Sequence, residues 1–575
     1  MDRLRRVLRT LRTGAALAVG AALIVTHTHA QTVAPEHATL VASLRDSVRN
    51  IMAAQDIPGI AIAVVDPDRI LWMEGFGATD ADGATPVTPV TLFSVQSMSK
   101  TFTALAVLTA VRDGLLDLDT PITEYLPAFS VNSRYEERPE AKMTLRLLLS
   151  HRAGFTHEAP VGNNYADGGQ PFAEHVASIS RTWLRFPVGQ RYSYSNLGID
   201  LAGHILEIRS GVPFARYVEE KVLHPLGMTS STFDQDSIGR VVDRAIGHTR
   251  DRDSVPWRVP MVAAGGLYSN VTELARWIQF ALGGGTAGAE PRISRTLLDE
   301  MRVIPGRLPR QTHGYGLGIA TGPSFGTYAL EHGGGGFGFL SLMQWYPELG
   351  IGIVMLTNSS SHRYQRRLPE TILEAFLRAR LGALPEEAAS TEEVPPPAID
   401  VEPSRLRRLA GQYLYGSGGY MLVEWEDGRL GVKPSNTLRP FTFVADDEAY
   451  VDQGPARFYY LFPPAPERAA QQVVREYDAT VLDYNVGADD PPGPDLAAWE
   501  PYVGKYAYRA FGHPAGSFEV HRRGGYLFLD HMKLTEYVPG LFFTANGEAL
   551  DFREPVPTWR NIPLERDVAE SAERP

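Results

Sequence analysis

Ser97 and Lys100 form the pair of residues in this sequence whose types and spacing most clearly allow chemistry. Both lie at the start of an apolar run, residues 98–111. This run is apolar on every face apart from hydroxyl side chains, and that pattern predicts a buried helix. Side chains three residues apart share one helical face, and Ser97 would lie near the positive end of the helix dipole. Burial disfavours a charged lysine, and a neutral amine can accept the proton of a serine nucleophile.

Lysine is scarce in this chain, so few Ser-x-x-Lys patterns are expected to occur by chance. Only six of the 55 basic residues are lysines, and no other Ser-x-x-Lys pattern occurs in the 575 residues. The motif alone also fits a structural interpretation, in which Ser97 caps the helix and Lys100 reaches solvent. The absence of cysteine excludes thiol nucleophiles, disulfides and thiolate metal sites. Scattered histidines without a His-Glu-x-x-His motif lead us to expect no metal and no cofactor.

A Tyr-Ser-Asn triplet occurs twice, at residues 194–196 and 268–270. The second triplet precedes Glu273 and a helical run, which is the pattern of a capping box and explains it structurally. The first triplet precedes another helical run, residues 197–208, so a role as a helix cap is an alternative interpretation for it too.

A third candidate element is the glycine run that His332 opens, which includes Gly334 and Gly335. It lies between two strand-like segments, where glycines let a substrate lie flat against a strand edge.

Taken together, the motifs resemble those of the penicillin-recognising serine hydrolases, which include serine β-lactamases, DD-carboxypeptidases, D-aminopeptidases and β-lactamase-like esterases. The resemblance covers about residues 37–380, and the order of its motifs selects the first Tyr-Ser-Asn triplet over the second. It is carried by residues 91–100 (TLFSVQSMSK), 147–155 (LLLSHRAGF), 194–196 (YSN), 225–228 (PLGM), 264–267 (AGGL) and 332–334 (HGG).

This resemblance implies acyl transfer through a covalent serine ester. Ser97 would attack a carbonyl while Lys100 and Tyr194 relay its proton, and either of the two could be the general base. Asn196 would hold Lys100 or a substrate amide.

The same resemblance implies that the glycine run borders the substrate. The backbone amides of Ser97 and Gly335 would form an oxyanion hole, which is worth roughly 3–4 kcal/mol per donor. His332, together with Gly334, would face a substrate carboxylate or the leaving group. Histidine stands where β-lactamases of this branch have Lys-Thr-Gly, so the element is more similar to that of D-aminopeptidases.

A rival hydrolase signature, Gly-x-Ser-x-Gly, occurs at residues 322–326. A nucleophile elbow needs a strand, a turn and then a helix. Ser324 instead lies between two strand-like runs, so we interpret it as part of a hairpin turn.

The N-terminus has the pattern of an export signal. Five arginines precede an apolar run of about a dozen residues and then small residues, so residues 1–30 are predicted to be a signal peptide. Removing this +4 segment from a chain of formal charge −12 leaves −16. We therefore expect a periplasmic or secreted protein with no stable membrane span after cleavage and no nucleic-acid partner.

Composition also divides the chain into domains. Residues 37–382 mix helical and strand-like runs, which predicts an α/β catalytic domain. By its resemblance this would be an antiparallel sheet flanked by helices, with an all-helical subdomain. A Pro/Glu-rich linker, 383–402, follows. Beyond it we expect two small all-β, barrel-like modules at 403–488 and 495–566, and then a tail, 567–575.

The two modules align as a weak internal repeat. Gly411-Gln-Tyr413 matches Gly504-Lys-Tyr506, and both copies contain a hairpin signal, Asp427-Gly428 in the first. One larger β domain built from both halves is the alternative. Their role could be to cover the site, to choose substrates or to form a homodimer interface.

The three-part layout resembles that of D-aminopeptidases, in which a C-terminal module reaches the active site. The most favoured function is therefore a D-aminopeptidase or D-peptidase-like activity on small peptides. A small-ester carboxylesterase or a weak β-lactamase is the first alternative. A catalytically inactive secreted binding protein is the alternative from a different class.

Overall fold

The computed structural model describes residues 31–566, apart from 81, 167, 251–253, 284–294, 385–394, 454–455, 466–467, 469 and 489. The predicted signal peptide (1–30), the middle of the predicted linker (385–394) and the predicted tail (567–575) lie outside the described residues. No helix within the described part of the chain is long and apolar enough to cross a membrane.

The first part of the chain is built on one antiparallel sheet of eight strands. Its central strand Gly59–Val65 is buried along its whole length because helices cover both faces. Side chains alternate along that strand, with Ile60, Ile62 and Val64 on one face and Ala61 and Ala63 on the other. The spatial order is Thr32–Val33, Ile70–Gly77, Gly59–Val65, Ile351–Thr357, Phe339–Tyr346, Thr327–Gly336, Ala320–Ser324 and Gly314–Tyr315.

Helices lie on both faces of this sheet. Ala38–Gln55 and Arg367–Leu381 cover one face, and the helix Ser99–Arg112, in which twelve residues are buried, lies in the core of the other. The remaining helices are Leu145–Leu149, Phe172–Ser178, Asn196–Ser210, Phe214–Val218, Gln235–Ile238, Val262–Gly265, Val271–Leu282 and Arg295–Arg302. This architecture confirms the predicted α/β fold with an antiparallel sheet.

The C-terminal region forms two nearly closed all-β modules with separate cores, as predicted. Module 1 begins with a short helix, Pro403–Arg407. Its strands are Gly411–Leu414, Tyr420–Glu426, Arg429–Val432, Arg439–Pro440, Thr442–Ala445, Glu448–Gln453, Ala456–Leu461, Gln472–Arg475 and Thr480–Val486. Those of module 2 are Gly504–Ala510, His513–Arg523, Tyr526–Leu529, Met532–Val538, Leu541–Thr544, Ala549–Asp551, Thr558–Trp559, Ile562–Pro563 and Glu565–Arg566.

The internal repeat is visible in one shared tyrosine contact. Tyr413 and Tyr506 each follow the first residue of the first strand by two positions, and both are buried. Each hydroxyl donates to the backbone carbonyl four residues upstream, Leu409 and Tyr502 respectively, at 2.8 Å. The bond ties the chain that enters each module to its first strand.

Removing one such hydroxyl should destabilise the module. Tyr506→Phe leaves the Tyr502 carbonyl without its donor, so we expect a loss of about 1–2 kcal/mol in the free energy of unfolding. Urea denaturation measures this loss. Tyr526→Phe is the control, because the Tyr526 hydroxyl donates to Pro491 at the exposed surface and its loss should cost much less. Equal losses in the two variants would contradict the assignment.

Candidate active site

Ser97 lies on a tight turn between a strand and the core helix. The preceding residue, Gln96, has a left-handed backbone with φ of 51°, a conformation that non-glycine residues rarely adopt. A short 3₁₀ turn, Gln96–Met98, then leads into Ser99–Arg112. Ser97 keeps partial exposure while its neighbours are buried. Backbone strain of this kind persists where surrounding structure enforces it, and here it turns the serine outward.

Lys100 is fully buried and donates to three oxygen acceptors. Its Nζ lies 3.0 Å from Ser97 Oγ, 2.8 Å from Asn196 Oδ1 and 2.9 Å from the Ala264 carbonyl. Two of the amine's hydrogen-bonding positions are directed at the Asn196 and Ala264 oxygens, so its third position faces Ser97. The interpretation in which Lys100 reaches solvent is therefore wrong, because its amine lies in the core.

The first Tyr-Ser-Asn triplet meets this lysine, and the second does not. Ser195 caps the helix Asn196–Ser210, so Asn196 stands in the first turn and points at Lys100. The Tyr194 ring centroid lies 4.9 Å from Lys100 Nζ.

The second triplet has a structural role, as its sequence context predicted. Tyr268 is buried and donates to the Trp257 carbonyl, and Asn270 caps the helix Val271–Leu282 by accepting from the Glu273 amide. The capping box is only half formed, because the Glu273 carboxylate accepts from the amides of Ser230 and Ser231.

A buried histidine–aspartate hydrogen bond behind Lys100 was not found from the sequence. Asp200 and His175 are both fully buried, and His175 Nε2 lies 3.2 Å from Asp200 Oδ2. The other oxygen of Asp200 accepts from the Ala264 amide at 3.0 Å, while the Ala264 carbonyl accepts from Lys100. Asp200 follows Asn196 by one helical turn, so one helix face contacts the lysine directly through Asn196 and indirectly through the residue Ala264. The i, i+4 spacing of Asn196 and Asp200 was the sequence feature that could have indicated this contact.

His332 lies close to the lysine, and both of its ring nitrogens have partners. Nδ1 is 2.7 Å from the Gly333 carbonyl and Nε2 is 2.8 Å from the Tyr315 hydroxyl. Burial, and then the charge of Lys100, lower the pKa of His332 to about 3. The ring is therefore neutral near pH 7, donates through Nδ1 and accepts from Tyr315. Its side-chain hydrogen-bond partner is thus Tyr315, which the sequence had not singled out.

His151, from the segment 147–155, packs against the candidate tyrosine. Its ring centroid lies 4.4 Å from that of Tyr194, and its Nδ1 accepts from the Ser195 amide. Burial, followed by the charge of Lys100, lowers the pKa of His151 well below its ordinary range. His151 is therefore neutral, and it supports the Tyr194–Ser195 segment by packing against the tyrosine ring and accepting from the Ser195 amide.

The glycine run forms an open strand edge beside the serine. Residues 332–336 pair with Phe339–Met343 on one side, whereas Ala320–Ser324 pairs on the other side only as far as Glu331. A Cβ on Gly334 would lie 2.1 Å from the Val95 carbonyl oxygen, so only glycine lets this strand approach the turn before Ser97. Gly335 follows along the same edge. The unpaired edge can receive an extended substrate backbone.

The neutral state of His332 makes stability depend on pH. In the unfolded chain this histidine is protonated near pH 6.5, whereas in the folded chain its pKa is about 3. Its contribution to the free energy of unfolding is therefore fully present above pH 6.5 and is lost as the pH falls toward 3. Between pH 7 and pH 5 the loss from this group should be about 2 kcal/mol. Thermal unfolding of wild type and His332→Gln at both pH values measures it. The variant should lose less stability on acidification, and an identical loss would contradict the neutral assignment.

The Asp200 contact should matter for the reactivity of Ser97. Asp200→Asn keeps an oxygen that can accept from Ala264 but removes the charge that holds this residue in place against Lys100. We expect fluorophosphonate labelling of the chain to slow about tenfold, since 1–2 kcal/mol of misplacement has that effect. Asp243→Asn, whose carboxylate accepts from Thr91, is the control and should label normally. Unchanged labelling of the Asp200 variant would rule out this positioning role.

Both C-terminal modules help to form a cavity that reaches the Tyr194 side chain. Its volume is about 590 Å³, and the α/β domain contributes residues 157–158, 164–165, 185–186 and 191–194. Module 1 lines it with the turns 415–417 and 478–481, and module 2 with Arg560 and Ile562.

A buried ion pair anchors module 2 beside this cavity. Arg185 and Glu548 are both buried, with Nε 3.0 Å from the carboxylate. The same carboxylate accepts from the Thr156 hydroxyl at 2.7 Å, and the Thr156 carbonyl accepts from the Ser195 hydroxyl. A chain of contacts thus runs from module 2 to the residue between Tyr194 and Asn196.

Ser324 of the rival signature ends the strand Ala320–Ser324. It pairs directly with Thr327 across a two-residue turn, Phe325-Gly326, as a hairpin requires. The nucleophile-elbow interpretation is therefore excluded by the fold. The described residues contain no group of three or more acidic, histidine or cysteine side chains placed to hold a metal ion.

An antiparallel sheet between helices, with a buried Ser-x-x-Lys at the start of its core helix, places this chain in the class of penicillin-recognising hydrolase folds. Within that class the chain belongs to the beta-lactamase family, because the family model described as Beta-lactamase matches residues 44–376, more than half of the chain.

Curated relatives match part of the chain. Protein flp of Staphylococcus aureus (strain MRSA252) is 25% identical over 233 residues, which cover 39% of this chain and 46% of that protein. Beta-lactamase-like protein 2 of Dictyostelium discoideum is 28% identical over 247 residues, covering 41% and 44% respectively. The chain thus spans less than half the length of these relatives.

Solved structures share the fold over a longer stretch. The octameric penicillin-binding protein homologue from Pyrococcus abyssi has a TM-score of 0.52 at 24% identity and covers 77% of this chain and 99% of its own. The crystal structure of SurE with D-Leu has a TM-score of 0.54 at 20% identity and covers 78% and 100%.

Proposed function

We propose that this protein is an exported serine hydrolase that cleaves amide bonds of small peptides containing D-residues through a covalent acyl-enzyme. The observation that carries the proposal is the contact of the buried Lys100 amine with Ser97 Oγ at 3.0 Å. Within the described part of the chain, no other side chain has a hydrogen bond to that oxygen. A serine needs such a base to become a nucleophile at neutral pH.

The first step forms an ester between Ser97 Oγ and the carbonyl carbon of the substrate. The Ser97 proton passes to the Lys100–Tyr194 pair, and Asn196 and the Ala264 carbonyl hold Lys100 in place. Tyr194, against Lys100, then passes a proton to the nitrogen of the departing amine as the carbon–nitrogen bond breaks. The backbone amides of Ser97 and Gly335 stabilise the tetrahedral oxygen.

Water completes the cycle by attacking the ester. The proton of that water moves to the Tyr194–Lys100 pair, the ester bond breaks and Ser97 Oγ regains a proton. His332 is neutral and bonded to Tyr315, so its role in this scheme is to hold the Tyr315 hydroxyl in place.

The preference for peptides is supported by the strand edge and by the cavity beyond Tyr194. Residues 332–336 have no strand partner on the side away from Phe339–Met343, so an extended chain can lie along this edge. The 590 Å³ cavity has room for several further residues, whereas a small ester would leave it empty. SurE, which shares this fold, was solved with D-Leu, and the proposal extends D-residue recognition to this chain. Export to the periplasm or medium is proposed from residues 1–30 alone.

Labelling at Ser97 tests the reaction class. A fluorophosphonate should form a covalent adduct with the full chain, and Ser97→Ala should reduce adduct formation at least about a thousandfold because the nucleophile is gone. Ser324→Ala, which removes the serine of the rival signature, is the matched control and should label normally. An adduct at another serine would overturn the assignment, and absence of any adduct would favour an inactive binding protein.

The same preparations rank the substrate classes. Turnover of a D-alanine p-nitroanilide should exceed that of p-nitrophenyl butyrate and nitrocefin, and Ser97→Ala should lose all three. A faster rate on the butyrate would favour the carboxylesterase alternative, and a faster rate on nitrocefin the β-lactamase alternative.

A further inference from the structure

A hairpin of module 2 places one arginine at the cavity in an unfavourable backbone conformation. The strands Thr558–Trp559 and Ile562–Pro563 are joined by the two-residue loop Arg560-Asn561. Both loop residues are left-handed, with φ of 54° and 66°. Such loops prefer Asn-Gly or Asp-Gly, so arginine at the first position is strained. Strain of this kind concentrates at ligand-binding sites.

The loop is attached to the catalytic domain. The side-chain amide of Asn561 donates to the Glu158 carbonyl at 2.8 Å, which fixes the tip of the hairpin against a segment that lines the cavity. Arg560 Nε lies 3.3 Å from the Glu548 carboxylate, which also pairs with Arg185 at 3.0 Å. One buried carboxylate therefore stands between two guanidinium cations.

Arg560 differs from the other arginines that line the cavity. Arg191 pairs with Asp483, Arg475 pairs with Asp478, and Arg185 donates to Asn546 and Gly416 carbonyls. The two terminal amino groups of Arg560 make no hydrogen bond to any described residue, although its side chain is 29% exposed and lines the cavity.

The nearby acid Glu158 does not satisfy Arg560. Its carboxylate accepts from the His157 ring and from the side chain and backbone of Asn164. The cavity is therefore lined by a guanidinium group whose terminal amino groups have no hydrogen-bond partner among the described residues.

We propose that Arg560 binds a carboxylate of the substrate through its two terminal amino groups. A guanidinium matches the two oxygens of a carboxylate, and a charge-assisted pair in a partly enclosed cavity is strong. The cavity continues to Tyr194, so this subsite extends the site of the proposed function, on which the inference rests. The carboxylate is the C-terminus of a short peptide or an acidic side chain.

Two isomeric ligands distinguish these sources. N-acetyl-D-glutamine has a free α-carboxylate and an amidated side chain, and its isomer N-acetyl-D-isoglutamine has the reverse. N-acetyl-D-glutamine amide is the uncharged reference. Isothermal titration calorimetry on the full chain with Ser97→Ala measures their binding without turnover. We expect one isomer to bind at least about tenfold more tightly than the reference, and its identity reports the source.

Variants of Arg560 test whether this residue is responsible. Arg560→Asn removes the guanidinium and suits the left-handed loop better than arginine does, so misfolding does not explain a loss. It should abolish the tenfold preference and leave binding of the uncharged reference unchanged. Arg509→Gln removes the same charge from module 2 at the exposed Glu565 pair and should retain the preference.

Two results would overturn the inference: no preference for either isomer in the chain with Arg560, or a preference that survives Arg560→Asn. Neither depends on whether Ser97 is reactive. Failure of the proposed function would appear separately, as absence of a Ser97 adduct in the phosphonate experiment.

Discussion

The buried amine of Lys100 is the constraint on which the rest of the site depends. A lysine without partners in the core is costly, so three separate elements must supply oxygens to it. Ser97, Asn196 and the Ala264 carbonyl do so from the turn before the core helix, the helix Asn196–Ser210 and the short helix Val262–Gly265. Any displacement of these elements leaves the amine unsatisfied, which couples the position of the nucleophile to the packing of the whole domain.

Buried polar contacts extend this constraint outward in two directions. Behind the lysine, Asp200 accepts from the Ala264 amide and is itself contacted by His175. Beside the tyrosine, the Glu548 carboxylate of module 2 connects through Thr156 to the Ser195 hydroxyl. The C-terminal modules are thus attached to the backbone that carries Tyr194 and Asn196, and they supply one wall of the cavity that a peptide would enter.

Sequence patterns predicted the parts of the fold that rest on local chemistry. An apolar run on every face predicted the core helix, Asp427-Gly428 predicted a hairpin, and paired Gly-x-Tyr segments predicted two repeated modules. The sequence also predicted the helix cap formed by Asn270 of the second triplet, because a cap involves residues close in sequence. His151, His175, Asp200 and Tyr315 were missed, since their partners lie 17 to 64 residues away.

The sequence by itself determined the residue types that could react, the absence of thiol chemistry and the spacing that puts Ser97 and Lys100 on one turn. Local geometry decides these features. Only the tertiary structure decided which Tyr-Ser-Asn triplet meets the lysine, that His332 is neutral and bonded to Tyr315, and that Arg560 enters the cavity. Those outcomes depend on burial and on long-range contacts, and a linear spacing contains neither.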